Sequence, residues 1–160
     1  MSTEQAALSA AEHGQFNQRV LPNGLQLLGQ YMEDVQSVSA CFYVRTGGRD
    51  EEPEVSGVSH FLEHMTFKGT PTRSYEDINR EFETIGAENN AGTGHEFTYF
   101  YAKVLREYVP QLVDLLTDMM RPRLDAADFA QERSAKGGSL FTIDPSALLR
   151  SECLLVGFSD

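Results

Sequence analysis

GVSHFLEHMTFKGT, residues 57–70, decides how the rest of this chain is read. It holds His60, Glu63 and His64 in the spacing H-x-x-E-H. On a helix, residues three or four apart share a face. His60 and His64 then point the same way, one turn apart, with imidazoles close enough to grip one Zn²⁺. Glu63 hangs beside the same ion. Metal-assisted hydrolysis asks for both features: neutral imidazole ligands, and a carboxylate that takes a proton from water the metal has acidified. Two histidines at i, i+4 also arise by chance, so the flanks matter. Phe61, Leu62, Met65 and Phe67 make the other sides apolar, which predicts a buried helix. Buried imidazoles and a buried carboxylate are costly unless something pairs with them. A metal does that.

Outward from this helix, the chain alternates strands and helices. FNQRV, LPNG and LQLLGQYM read as a hairpin with Asn23-Gly24 in the turn. A third strand spans roughly residues 35–45. The loop through Gly47-Gly48 and the acidic residues 51–54 leads to the motif helix, with Ser56 as its expected cap. A second helix starts at Ser74 with Asp77 completing a capping box, and Gly86 stops it. Residues 89–94 form a turn or bulged strand, and EFTYFYAKV is a strand with aromatics on both faces. A helix over about 106–121 carries Val109, Leu112, Val113, Leu116, Met119 and Met120 at helical spacing, a core stripe ended by Pro122. Asp125 and Asp128 open a last helix that includes Phe129 and Glu132. The expected fold is α+β, a mainly antiparallel sheet covered by helices, with the ligand face of the motif helix turned toward a cleft.

At 160 residues the chain holds one domain with a sizeable core. Its 41% hydrophobic and 23% charged residues are ordinary for a globular protein. A net charge of −11 argues against nucleic acid and anionic membranes as partners. Cys41 and Cys153 make no disulfide framework, and Cys41 is expected as a buried thiol in a strand. No apolar run is long enough to span a membrane, and the N-terminus has neither a secretory nor an organelle-transit pattern, so the cytoplasm is the default location. Residues 1–15 read as a mobile tail containing His13.

Five stretches in order resemble the pitrilysin/insulinase family of zinc peptidases, closest to its bacterial and mitochondrial processing-peptidase branch. They are LPNGLQLL, VRTGGRDE, GVSHFLEHMTFKGT, IGAENNAGTGHEFTYFYAKV and LVDLLTDMMRPRLDAADFAQER, within residues 16–133. The H-x-x-E-H order is the inverzincin signature. The resemblance implies a zinc metalloendopeptidase acting on peptide or protein substrates. His60 and His64 are then zinc ligands, and Glu63 the general base. Glu132 matches a glutamate that supports the site by hydrogen-bonding a ligand imidazole; as a plain residue it also reads as a solvated helix carboxylate. Asn90, Ala91, Gly92 and Thr93 match an edge strand whose backbone pairs with extended substrate. His95 lies just beyond and reads as a surface residue.

The pattern then breaks. The family places its third ligand, a glutamate, seven residues after the position of Glu132, and Ser139 stands there. Gly137-Gly138 should end the helix, since two glycines cost its interior roughly 2 kcal/mol relative to alanine. Residues 134–160 carry no resemblance. They read as an unrelated tail on an incomplete first domain of a two-domain fold, as a shifted reading frame would leave; the other frames across codon 134 test this. The chain alone is expected to be inactive unless a homo- or hetero-oligomer restores the cleft. A non-catalytic member, serving peptide binding or subunit assembly, is the alternative.

Overall fold

The computed structural model describes residues 16–32, 34–135 and 153–158, with side chains up to Glu132. His13, the glycine pair at 137–138 and Ser139 lie outside these residues. Among the described residues six strands form one sheet: β1 (Phe16–Val20), β2 (Gln26–Gln30), β3 (Ser37–Val44), β4 (Glu88–Thr93), β5 (Thr98–Leu105) and β6 (Cys153–Phe158). Their order across the sheet is β1-β2-β6-β3-β5-β4. Neighbours run antiparallel except β2 and β6, which are parallel. The expected α+β class with a mainly antiparallel sheet is what the chain forms. No element was anticipated in residues 134–160, yet β6 pairs with strands on both sides. Its register sets Leu154 against Gln26 on one side and Tyr43 on the other.

Among the described residues four α-helices accompany the sheet: α1 (Val58–Thr66), α2 (Tyr75–Thr84), α3 (Val109–Met119) and α4 (Ala126–Ala135). Strand alternation sends Phe100, Ala102 and Val104 of β5 to one face beside Ala40 and Phe42 of β3. There they meet Ile78 and Phe82 of α2, with Ile85 just after it, and Leu112, Leu115, Leu116 and Met119 of α3. Leu112, Leu116 and Met119 of the expected α3 stripe are core, joined by Leu115; Val109, Val113 and Met120 are only partly buried, and the first turn, residues 106–108, is 3₁₀. Tyr99 and Tyr101 take the opposite face of β5, half-buried. Cys41 is buried, as expected.

Ser74 and Asp77 form the expected capping box, the serine hydroxyl accepting from Asp77 N–H at 3.1 Å and the aspartate accepting from Ser74 N–H at 3.1 Å. Gly86, at φ +62°, stops α2. The cap of α1 differs from expectation. Gly57, not Ser56, holds the cap position, and glycine has no side chain to act as acceptor. Glu51 reaches over instead, accepting from Gly57 N–H at 2.5 Å and Ser59 N–H at 2.9 Å. A carboxylate there satisfies orphan amides and meets the positive end of the helix dipole.

Two loops hold the site elements together. Gly48 N–H donates to Gly94 O at 3.0 Å and Arg49 N–H to His95 O at 2.9 Å, so the loop before α1 is laced to the β4–β5 turn. A Cβ on Gly47 would stand 2.5 Å from Gly94 O, so only glycine permits this approach. After α1, Arg73 donates to Glu81, Asp114 and Asp118 at 3.1, 2.7 and 2.9 Å, which ties residues 69–74 to α2 and α3.

Candidate metal centre

Helix α1 places the three motif side chains on one face. Phe61 and Met65 go to the interior, 2% and 1% exposed, with the Phe61 ring 4.9 Å from that of Phe129 on α4. The polar face therefore turns away from the core. It is less enclosed than expected: His60 is exposed, and Glu63 and His64 are half-buried. The apolar residues of a nine-residue helix bury one stripe, and on the polar side Glu63 and His64 line a cleft while His60 stands outside its lining.

The Nε2 atoms of His60 and His64 lie 3.2 Å apart, their rings edge to face. Potential ligand atoms of His60, Glu63 and His64 all fall within 4.8 Å of one another. Two nitrogens bound tetrahedrally to one zinc at ordinary bond lengths are about 3.3 Å apart. The pair thus fits a shared cation without a change of backbone. His64 Nδ1 lies 2.9 Å from Glu132 Oε1; a neutral ring that donates there carries its lone pair on Nε2. Glu132 is 8% exposed, so the solvated-carboxylate reading does not describe it. Its other oxygen takes a 3.0 Å ion pair from Lys68 Nζ.

Glu63 is held from the sheet side. Thr93 Oγ1 donates to Glu63 Oε2 at 2.6 Å, and the Thr98 hydroxyl beside it donates to Thr46 O at 3.0 Å. Thr93 ends β4, the outer strand of the sheet, which pairs with β5 and with no other strand among the described residues. Asn90 and Ala91 of β4 line a cavity of about 260 Å³ together with Glu63, His64, Phe67, Lys68, Tyr75 and Glu132. The edge-strand residues and the motif helix thus share one cleft. Gly92 is packed under the Tyr99 ring, where a Cβ would meet its hydroxyl at 2.6 Å. His95 is exposed, as expected. Lys68 and Glu51 escaped the sequence reading as site residues. The i, i+4 spacing of His64 and Lys68 could have pointed to the former; nothing local marks the latter as a cap.

The motif helix thus sets a convergent His-His-Glu group beside the outer strand of an α+β sheet. Residues 28–138 match the model of the insulinase family, peptidase family M16. The chain belongs to that family. It is 44% identical over 121 residues to an uncharacterized zinc protease of Rickettsia felis, covering 76% of this chain and 28% of the relative. It is 41% identical over 114 residues to the mitochondrial-processing peptidase subunit beta of Saccharomyces cerevisiae, covering 71% and 25%. An uncharacterized zinc protease of Bacillus subtilis is 45% identical over 97 residues, covering 61% and 24%. The chain spans about a quarter of the length of these relatives. Its fold matches a crystal structure of a protease from Helicobacter pylori with a TM-score of 0.73 at 24% identity, over 76% of this chain and 30% of that one. No helix among the described residues is long and apolar enough to cross a membrane.

Proposed function

We propose that this chain carries the metal-binding and base-bearing part of a zinc metalloendopeptidase that hydrolyses peptide bonds in peptide or protein substrates. The observation that carries the reading is the 3.2 Å approach of the two Nε2 atoms beside the Glu63 carboxylate. His60 and His64 hold the ion. When bound, zinc supplies Lewis acidity that polarises a peptide carbonyl and acidifies water. Glu132 keeps the His64 ring turned so that Nε2 faces the metal side. The Thr93 hydroxyl engages Glu63 Oε2, so Oε1 is the oxygen that accepts a proton from the attacking water. The open edge of β4 at Asn90, Ala91, Gly92 and Thr93 offers backbone groups to an extended peptide, a mode that reads main chain before side chain.

Ser139 at the position of the family's third ligand favours a second reading, in which this chain binds peptides or assembles with a partner without catalysis. Zinc titration of the purified chain, with Glu63→Gln as a variant that spares both imidazoles, separates the two. One equivalent bound at sub-micromolar affinity, lost in His60→Ala and His64→Ala and kept in Glu63→Gln, supports the zinc centre and means that a third ligand is recruited. Binding no tighter than that of the His→Ala variants overturns it.

A further inference from the structure

We infer that Lys68 is a positioning residue of this centre: its ammonium locks the Glu132 carboxylate in the orientation that turns His64 Nε2 toward the metal. The inference rests on the metal-site reading above. It begins with the number of restraints on Glu132. The last torsion of a glutamate side chain is broad, so a carboxylate held by one neighbour can swing. Here each oxygen has its own donor, Oε1 from His64 Nδ1 at 2.9 Å and Oε2 from Lys68 Nζ at 3.0 Å. Two donors at the two ends of the carboxylate fix its plane.

Lys68 is itself restrained. Its Nζ lies 5.9 Å from the centroid of the Tyr75 ring, within cation–π range. Its backbone N–H donates to Met65 O at 3.1 Å, so the residue leaves α1 on a defined path. His64 sits in the last turn of α1 and Lys68 two residues past its end, and Glu132 of α4 meets both. The Phe61–Phe129 contact brings α4 to that place. Charge supports the same assignment. The Glu132 side chain is 11% exposed and the Lys68 side chain 25%, so the carboxylate sits largely out of water and needs a counter-charge. The Lys68 ammonium, 3.0 Å from Oε2, supplies one. Without Lys68 the Oε2 end loses this donor, and the hold of Oε1 on His64 Nδ1 is loosened.

The test uses the full metal-free chain, ¹⁵N-labelled, at pH 8, where an ordinary imidazole is neutral. Long-range ¹H–¹⁵N correlation reads which His64 nitrogen carries the proton, with His64→Gln assigning the signals. Wild type and Lys68→Arg are expected to show the Nδ1–H form. Lys68→Met is expected to show a mixed pattern, as is Glu132→Gln, while its amide spectrum and melting midpoint report an intact fold. Lys68→Leu, which likewise lacks a donor, serves if the Met variant does not fold. In zinc titrations Lys68→Met is expected to bind about tenfold more weakly than wild type. A folded Lys68→Met or Lys68→Leu that keeps the wild-type His64 pattern overturns the inference. A wild-type chain with the Nδ1–H form that fails to bind zinc overturns the metal reading and leaves the role of Lys68 standing.

Discussion

The Thr93 hydroxyl donates a 2.6 Å hydrogen bond to the Glu63 carboxylate, joining the end of the outer strand to the motif helix. A hydrogen bond to a charged group contributes about 1.5–3 kcal/mol. Thr93→Val, which keeps shape and strand preference, should lose roughly that much in urea unfolding. Thr93→Ser should lose far less. Zinc affinity should stay within about threefold in both, because neither touches an imidazole. Equal stability of the Val variant and wild type would show that the bond contributes nothing.

Gly47 is the point where two loops touch. A Cβ there would meet Gly94 O at 2.5 Å and the His95 carbonyl carbon at 2.7 Å, and neither backbone can retreat without breaking the Gly48 and Arg49 bonds. Gly47→Ala should destabilise the chain by about 1–3 kcal/mol, the range for forced overpacking. Gly48→Ala, whose Cβ would find nothing nearer than 3.6 Å, is the matched control and should be close to neutral. The difference in urea midpoint between the two variants is the measurement.

Much of this was legible because it is local. The His60–His64 spacing, the Ser74–Asp77 box, the Asn23-Gly24 hairpin and the α3 stripe each depend on residues within a few positions of one another. What escaped was set by tertiary approach. Glu51 caps a helix from six and eight residues upstream, across a loop whose path no pattern reveals. The Glu63–Thr93 and Lys68–Glu132 pairs join elements 30 and more residues apart. The exposure of His60 depends on where α1 lies relative to its neighbours, which amphipathic spacing leaves open. The strand at 153–158 was missed for a different reason: its neighbours β2 and β3 supply its context, and no family pattern extended that far.

Acid should weaken the fold through Asp118. Burial alone would raise its carboxyl, but the Thr70 hydroxyl, the Arg73 guanidinium and the Thr72 hydroxyl outweigh that and hold it below the ordinary range. The folded state therefore takes up this proton less readily than the unfolded chain. The stabilisation is complete above the ordinary aspartate value of about 3.9 and is lost as pH falls through the lower folded value. Urea midpoints should drop in that acid window. Asp118→Asn should be less stable at pH 7 and show a shallower acid limb; an unchanged limb would assign the effect elsewhere.

Cys41 should be a slow thiol. Burial pushes it up to about 11, against the opposing hydrogen bonds from Tyr43 and Phe100. At pH 8 the thiolate is then more than about a hundredfold scarcer than for a free cysteine. In a Cys153→Ser background, a disulfide-exchange reagent should label the native chain at least that much more slowly than the urea-unfolded chain. Comparable rates would mean that β3 opens readily at its centre.

Strand β6 stands between β2 and β3, so among the described residues the β1–β2 hairpin joins the rest of the sheet through it alone. A ribosome must therefore reach codon 158 before the sheet can become continuous. Until then a nascent chain presents two bare strand edges, on β2 and on β3, each a template for a segment of another polypeptide. During translation, the pace of elongation and the presence of a chaperone decide whether those edges meet their own strand first.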